Sequence, residues 1–254
     1  MDRTSTVYLE RRGATVELIL NRPEVLNAEN WAMADDFHAA LDELETSSDV
    51  RAVVVTGKGR AFSSGVDLRA LSAGELKIAW FRRFDEGLRR LEQLDALTVA
   101  KIRGYALGGG LQVALACDLR IAAEGTRLGL PAVLEALIPG MGTYRLSRFI
   151  GLGRARRLVL SGELIAADEA LRIGLVDWVV PDENLNEKVE SVITSVAKGS
   201  AIARGYSKKL VTSSFETDYQ DQFTKYLEYQ SECLRSPEHK ATMAEYRGRQ
   251  KQRR

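Results

Sequence analysis

The chain has 254 residues, is 45% apolar and 28% charged, and carries a formal net charge of +1. That length buries a substantial core, as one large domain or as a domain with an appendage, and the near-neutral balance excludes bulk charge as a reason to bind nucleic acid or an anionic membrane. No run of about 18 apolar residues occurs, so no transmembrane helix is expected, and the start, MDRTSTVYLERR, lacks the apolar core of a signal peptide. Cys117 and Cys233 form neither a disulfide framework nor a zinc spacing, so a reduced, cytoplasmic protein without a metal is expected.

In chain order, ATVELIL (Ala14 to Leu20) and RAVVVTG (Arg51 to Gly57) read as β-strands. Between them Met33, Phe37, Leu41 and Leu44 recur at spacings of four and three, the pattern of an amphipathic helix. A second helix is expected from about Gly74 to Leu94, with Trp80, Phe81 and Phe84 on a partly buried face. LTVAKIR and DLRIAA are short strands flanking a glycine segment. Past about Gly142 strands become scarce. GRARRLVLSG, AADEALRIG and the stretch from Asn184 to Lys198 read as helices, with one extended run, GLVDWVVP, between the last two. The C-terminal helix carries Tyr219, Phe223 and Leu227 at four-residue spacing, a stripe for core or subunit contact, and the chain ends in the basic tail YRGRQKQRR. The organisation is an α/β body over residues 1–195 followed by a helical part over 196–254.

The segment GYALGGG (Gly104 to Gly110) turns a strand into a helix whose first N–H groups lack intrahelical partners. Glycine lets a ligand approach that backbone, and the partial positive charge there favours an oxygen that gains negative charge. A glycine turn needed only for close packing fits this segment equally. A second small-residue turn, GRAFSSGVDLRAL (Gly59 to Leu71), also follows a strand. A dinucleotide site is rejected, because GYALGGG lacks the G-x-G-x-x-G spacing.

Together with LNRPEVLNA, ACDLRIAA, IPGMG and SGELIAADEALRIGLVDWVV, in this order, the two turns make the chain resemble the crotonase superfamily, also called the enoyl-CoA hydratase/isomerase family, over essentially its whole length. The resemblance implies a crotonase-type spiral of ββα units with a helical C-terminal region for trimerisation, in trimers or paired trimers. It implies an acyl-CoA thioester whose carbonyl oxygen accepts hydrogen bonds from the N–H of Val66 and of Gly109. An oxyanion hole of this kind loses about 3 kcal/mol with one donor. The coenzyme A portion is expected near Val25, Ala28 and Ser64, although Glu24 stands where many members have a basic residue. No other cofactor is implied.

Hydratases of the family place one glutamate at the position of Gln112 and another at that of Ala132, and some relatives place an acid at that of Gly140. This chain has no carboxylate at any of the three. An amide orients water but does not exchange a proton near neutral pH, and general acid–base catalysis is worth about two to four powers of ten. Efficient hydration is therefore not expected. Glu135 is the candidate base for double-bond isomerisation, and Lys77 the candidate cation for decarboxylation of a malonyl-type thioester. Tyr144 and Arg69 are further candidates, each with a structural or surface role as the competing reading. Asp67 is expected to brace its turn, and His38 and His239 lack dyad partners. The alternative function is a non-catalytic binder of acyl-CoA or an acyl carrier.

Overall fold

The computed structural model describes residues 4–252 and opens on an antiparallel pair, β1 (Val7–Arg12) and β2 (Thr15–Leu20). The amphipathic run follows as α1 (Trp31–Thr46), capped by the Asn30 side chain on the Met33 N–H, with Met33, Phe37, Leu41 and Leu44 all buried. β3 (Ala52–Gly57) is buried at every residue, which its unbroken apolar run Ala-Val-Val-Val already indicates for a strand covered on both faces.

The second long helix is divided from its approach. A one-turn α2 (Leu68–Ser72) precedes α3 (Ile78–Gln93), and Gly74 between them sits at φ +73°. Helical periodicity over 74–77 is therefore broken by the left-handed glycine, and α3 starts four residues later than the sequence suggests. Trp80 stacks on Phe84 with ring centroids 5.3 Å apart, both buried.

β4 (Leu97–Ile102) continues the sheet, β5 (Tyr105–Leu107) leaves it, and α4 (Gly109–Leu115) leads to β6 (Leu119–Ala123). The Thr98 N–H donates to Asp118 and the Asp118 N–H to the Thr98 hydroxyl, each at 2.8 Å, which sets where β6 joins β4. β7 (Arg127–Gly129), α5 (Gly142–Ile150), α6 (Leu152–Ser161), β8 (Ile165–Ala166), α7 (Ala167–Arg172), β9 (Trp178–Val180) and α8 (Leu185–Ala197) complete this part. The large sheet has the order β1-β2-β3-β4-β6-β9, parallel from β2 onward, and β5-β7-β8 form a small second sheet.

The chain divides into two compact units, residues 1–193 and 194–254. In the second, α9 (Ala201–Ser213) and α10 (Tyr219–Arg235) are joined by the stacked rings of Tyr206 and Tyr229 and by Gln222, whose amide donates to the Leu210 carbonyl at 2.6 Å. α11 (Pro237–Gln252) is tied in by Glu238, which accepts from the Ser200 hydroxyl ahead of α9. Tyr219, Phe223 and Leu227 are all exposed, so within the single chain the stripe is not core. The basic tail is helical as far as Gln252, and its last two arginines lie outside the described residues. Among the described residues no helix is long and apolar enough to cross a membrane.

Candidate functional site

Three glycines in a row have three distinct causes. Gly108 takes φ +52°, ψ −117°, a conformation that a side chain resists. A Cβ on Gly109 would lie 1.7 Å from the Glu29 carboxyl Oε2, and one on Gly110 would lie 2.6 Å from the Ser63 carbonyl oxygen. The second and third glycines thus let α4 settle directly onto the segment carrying Glu29 and onto the Ser63 turn.

That turn is held from both sides. Ser63 pairs with β5, its N–H donating to the Tyr105 carbonyl and its carbonyl accepting from the Leu107 N–H, each at 3.0 Å. Two residues on, the Glu29 N–H donates to the Gly65 carbonyl at 2.8 Å and the Asp67 N–H to the Glu29 carbonyl at 2.9 Å. Extended backbone alternates the direction of its polar groups, so this bridge turns the Val66 N–H away from Glu29. Among the described residues neither the Val66 nor the Gly109 N–H donates a backbone hydrogen bond. The loops are close: a Cβ on Gly65 would stand 3.2 Å from the Gly109 nitrogen.

Both residues line a cavity of about 430 Å³ whose wall also includes Val25, Ala28, Ser64, Asp85, Gln112, Ala132, Glu135 and Gly140. Apart from Tyr144, which is exposed on α5 and not part of this wall, the structure gathers all but one of the site residues expected from sequence. Glu135 is exposed, at the end of a short 3-10 helix, Pro131–Glu135, that places it a turn from the buried Ala132. Lys77 is the exception. It is exposed in the extended approach to α3 and does not line the cavity. Gln112 is buried, and its Oε1 accepts from the Gly142 N–H at 2.9 Å, which ties α4 to the Pro-Gly-Met-Gly turn.

Asp67 braces its turn as expected. Its carboxylate caps α2 by accepting from the Arg69 and Ala70 N–H groups and meets the Arg22 guanidinium at 2.9 Å. Burial alone would raise its pKa, but the Arg22 hydrogen bond and the two amides together hold it below the ordinary value. His38 is buried between the Arg83 carbonyl and the Arg90 guanidinium, away from the cavity lining.

Two residues of consequence are not legible from the sequence. Asn27, at φ +56° and fully buried, spans the turn: its Nδ2 reaches the carbonyls of Lys58, Ala61 and Phe62 at 3.0, 2.9 and 3.1 Å, while its Oδ1 accepts from the Arg22 N–H at 2.8 Å. Asn27→Ala strips those carbonyls of their donor and leaves alanine in a left-handed conformation, with an expected loss of about 3 kcal/mol in urea unfolding. A loss under about 0.5 kcal/mol, typical of surface substitutions, would remove this role.

Glu29 is the other, a carboxyl with 1% exposure packed against Gly109. The Ser63 hydroxyl is 3.0 Å from its Oε1 and 2.9 Å from the Asn27 carbonyl, and it accepts from the Gly65 N–H at 3.1 Å. One hydroxyl hydrogen cannot serve both oxygens, whereas a neutral Glu29 donates to Ser63 and frees that hydrogen for Asn27. Burial pushes the Glu29 carboxyl up to about 8; the Ser63 hydrogen bond opposes this and the Asp85 charge adds to it. Among the described residues its Oε2 has no hydrogen-bond partner. A glutamate between Ala28 and Asn30, just ahead of α1, carries no signal that it will be buried neutral under a glycine turn some 80 positions away.

A family model described as enoyl-CoA hydratase/isomerase matches residues 10–253. The chain is 34% identical to a short-chain-enoyl-CoA hydratase of Clostridium acetobutylicum over 95% of its own length and 94% of that protein's. It is 35% identical to the mitochondrial enoyl-CoA hydratase of Pongo abelii, covering 83% and 74% of the two chains. Among solved structures, the enoyl-CoA hydratase of Bacillus anthracis superposes with a TM-score of 0.89 at 29% identity, over 96% of both chains. DspI of Pseudomonas aeruginosa superposes with 0.90 at 29% identity, over 98% of this chain and 96% of that one.

Proposed function

The chain belongs to the enoyl-CoA hydratase/isomerase family and has its α/β crotonase fold, and from that premise we propose that it binds an acyl-CoA thioester in the cavity and stabilises the thioester enolate. The observation that carries this reading is the pair of unpartnered N–H groups, Val66 and Gly109, on two loops converging on one cavity. A carbonyl oxygen held by both gains its negative charge where donors are already in place, so little reorganisation is needed as the enolate forms. Val25, Ala28 and Ser64 line the same cavity and, in this reading, take the coenzyme side of the ligand. Arg60 and Arg69 also line the cavity and supply positive charge that Glu24, exposed at the same wall, does not.

Hydration by a pair of carboxylates has no support at Gln112, Ala132 or Gly140. Isomerisation of an enoyl thioester asks for a single group that takes a proton from one carbon and returns it two carbons away. Decarboxylation draws on a cation; Lys77 stands outside the cavity, and Arg60 and Arg69, which line it, serve the coenzyme side in this reading. One-base isomerisation is therefore the reading best supported. In the same reading the exposed stripe Tyr219, Phe223 and Leu227 serves as a contact between copies in a trimer.

Titration calorimetry with butyryl-CoA, alongside turnover of crotonyl-CoA and 3-hexenoyl-CoA, tests the assignment. Binding of the thioester is expected, with crotonyl-CoA hydration about two to four powers of ten below that of a relative carrying both glutamates. Hydration at such a relative's rate would overturn the reaction type, absence of thioester binding would overturn the whole reading, and binding without turnover of any substrate would leave a non-catalytic binder.

A further inference from the structure

Resting on the reading that the cavity holds an acyl-CoA thioester, we propose that Asp85, on the inner face of α3, is the group that carries the proton. Four carboxylates line the cavity among the described residues: Glu24, Asp67, Asp85 and Glu135. Asp67 is occupied by two backbone amides and Arg22, and Glu24 and Glu135 are exposed. Asp85 alone is half-buried with one oxygen anchored and the other open. Its Oδ1 meets the Arg145 guanidinium at 3.2 Å; Arg145 is itself buried and pinned through Nε to Glu92 at 2.5 Å. The carboxylate is thereby fixed in orientation from behind, by a cation that does not line the cavity.

The open oxygen faces the bare backbone of Gly140. A methyl carbon placed on Gly140 would stand 3.1 Å from Asp85 Oδ2, 3.0 Å from Gln112 Oε1 and 3.5 Å from Gln112 Nε2. The absence of a side chain at 140 leaves the space that Asp85 and Gln112 share. Since the Gly142 N–H occupies Gln112 Oε1, the amide is oriented with its Nε2 hydrogens available to a substrate or a water beside Asp85. Gln112 lies one turn along α4 from Gly109, so the carboxylate and the proposed carbonyl site share one wall.

The step balances without a co-reactant. The Asp85 carboxylate removes a proton from C2 of a 3-enoyl thioester, and the C2–H electron pair becomes the dienolate held by Val66 and Gly109. The neutral Asp85 then returns the proton at C4, which gives the 2-enoyl thioester and restores the carboxylate.

Asp85→Asn keeps the Arg145 contact and cannot take the proton. With 3-hexenoyl-CoA in deuterium oxide, the unmodified protein is expected to form the 2-enoyl product and to exchange at C2. The variant is expected to lose both by about 100-fold or more, with butyryl-CoA affinity within about a factor of three and an unchanged thermal midpoint. Should Asp85→Asn unfold, Asp85→Glu provides the second test: it retains a carboxylate and is expected to keep measurable exchange. Exchange that persists in Asp85→Asn, or an unmodified protein that binds without exchanging, overturns the proposal and leaves the binding reading standing. Failure of the unmodified protein to bind butyryl-CoA overturns both.

Discussion

Gly109→Ala is expected to lower kcat/KM on an acyl-CoA substrate by about two to three powers of ten. The cause is steric before it is electronic. The new methyl group would stand 1.7 Å from Glu29 Oε2 and 2.6 Å from its Cδ, distances no pair of non-bonded atoms sustains. Glu29 cannot yield easily, because its own backbone bridges Gly65 and Asp67 and its carboxyl is held by Ser63. The start of α4 must move instead, which takes the Gly109 N–H off the carbonyl oxygen it is proposed to serve. Adding Glu29→Ala to the same chain removes the three nearest atoms the methyl would strike, so the double variant should recover part of the lost rate. A single variant within tenfold of the unmodified protein would exclude Gly109 as a donor. A double variant no better than the single one would exclude the steric account.

The second large effect is on stability. Glu29 holds its proton more tightly in the folded chain, where its pKa is raised from 4.5 to about 8, chiefly by burial, with the Asp85 charge adding to the rise. Below pH 4.5 both folded and unfolded chains carry the proton and the site contributes no pH dependence. Between pH 4.5 and 8 the unfolded chain releases the proton and the folded one retains it, so stability falls as pH rises, and above 8 the loss levels off. A shift of this size corresponds to a loss on the order of 5 kcal/mol across the window. Glu29→Gln is neutral throughout. Urea unfolding at pH 5, 7 and 9 should show the variant close to the unmodified protein at pH 5 and several kcal/mol more stable at pH 9. Parallel pH profiles for the two proteins would show that Glu29 is not buried as a neutral acid.

Ionised Glu29 would also place a negative charge directly behind the Gly109 backbone. The same titration therefore opposes formation of an enolate on the other side of that peptide, and activity should decline as pH passes about 8 in the unmodified protein but not in Glu29→Gln.

What the sequence determines by itself is whatever depends on local period and local turn chemistry. α1 is legible from Met33, Phe37, Leu41 and Leu44 because one helix face meets one core, and β3 from an apolar run because a parallel strand is covered on both sides. The glycine turn and the absence of a carboxylate at 112, 132 and 140 are likewise written in the chain, as is the family. The small sheet is not legible, since its strands have three, three and two residues, too few to show alternation. Nor are the roles of Asn27, Glu29 and Asp85. Each is an ordinary polar residue on its own element, and its chemistry arises from partners 30 to 80 positions away: the Ser63 turn for Asn27, Gly109 for Glu29, Arg145 and Gly140 for Asp85. Burial, the loss of competing water and the direction of a free carboxylate oxygen are properties of packed surfaces, and only the tertiary structure decides which surfaces meet.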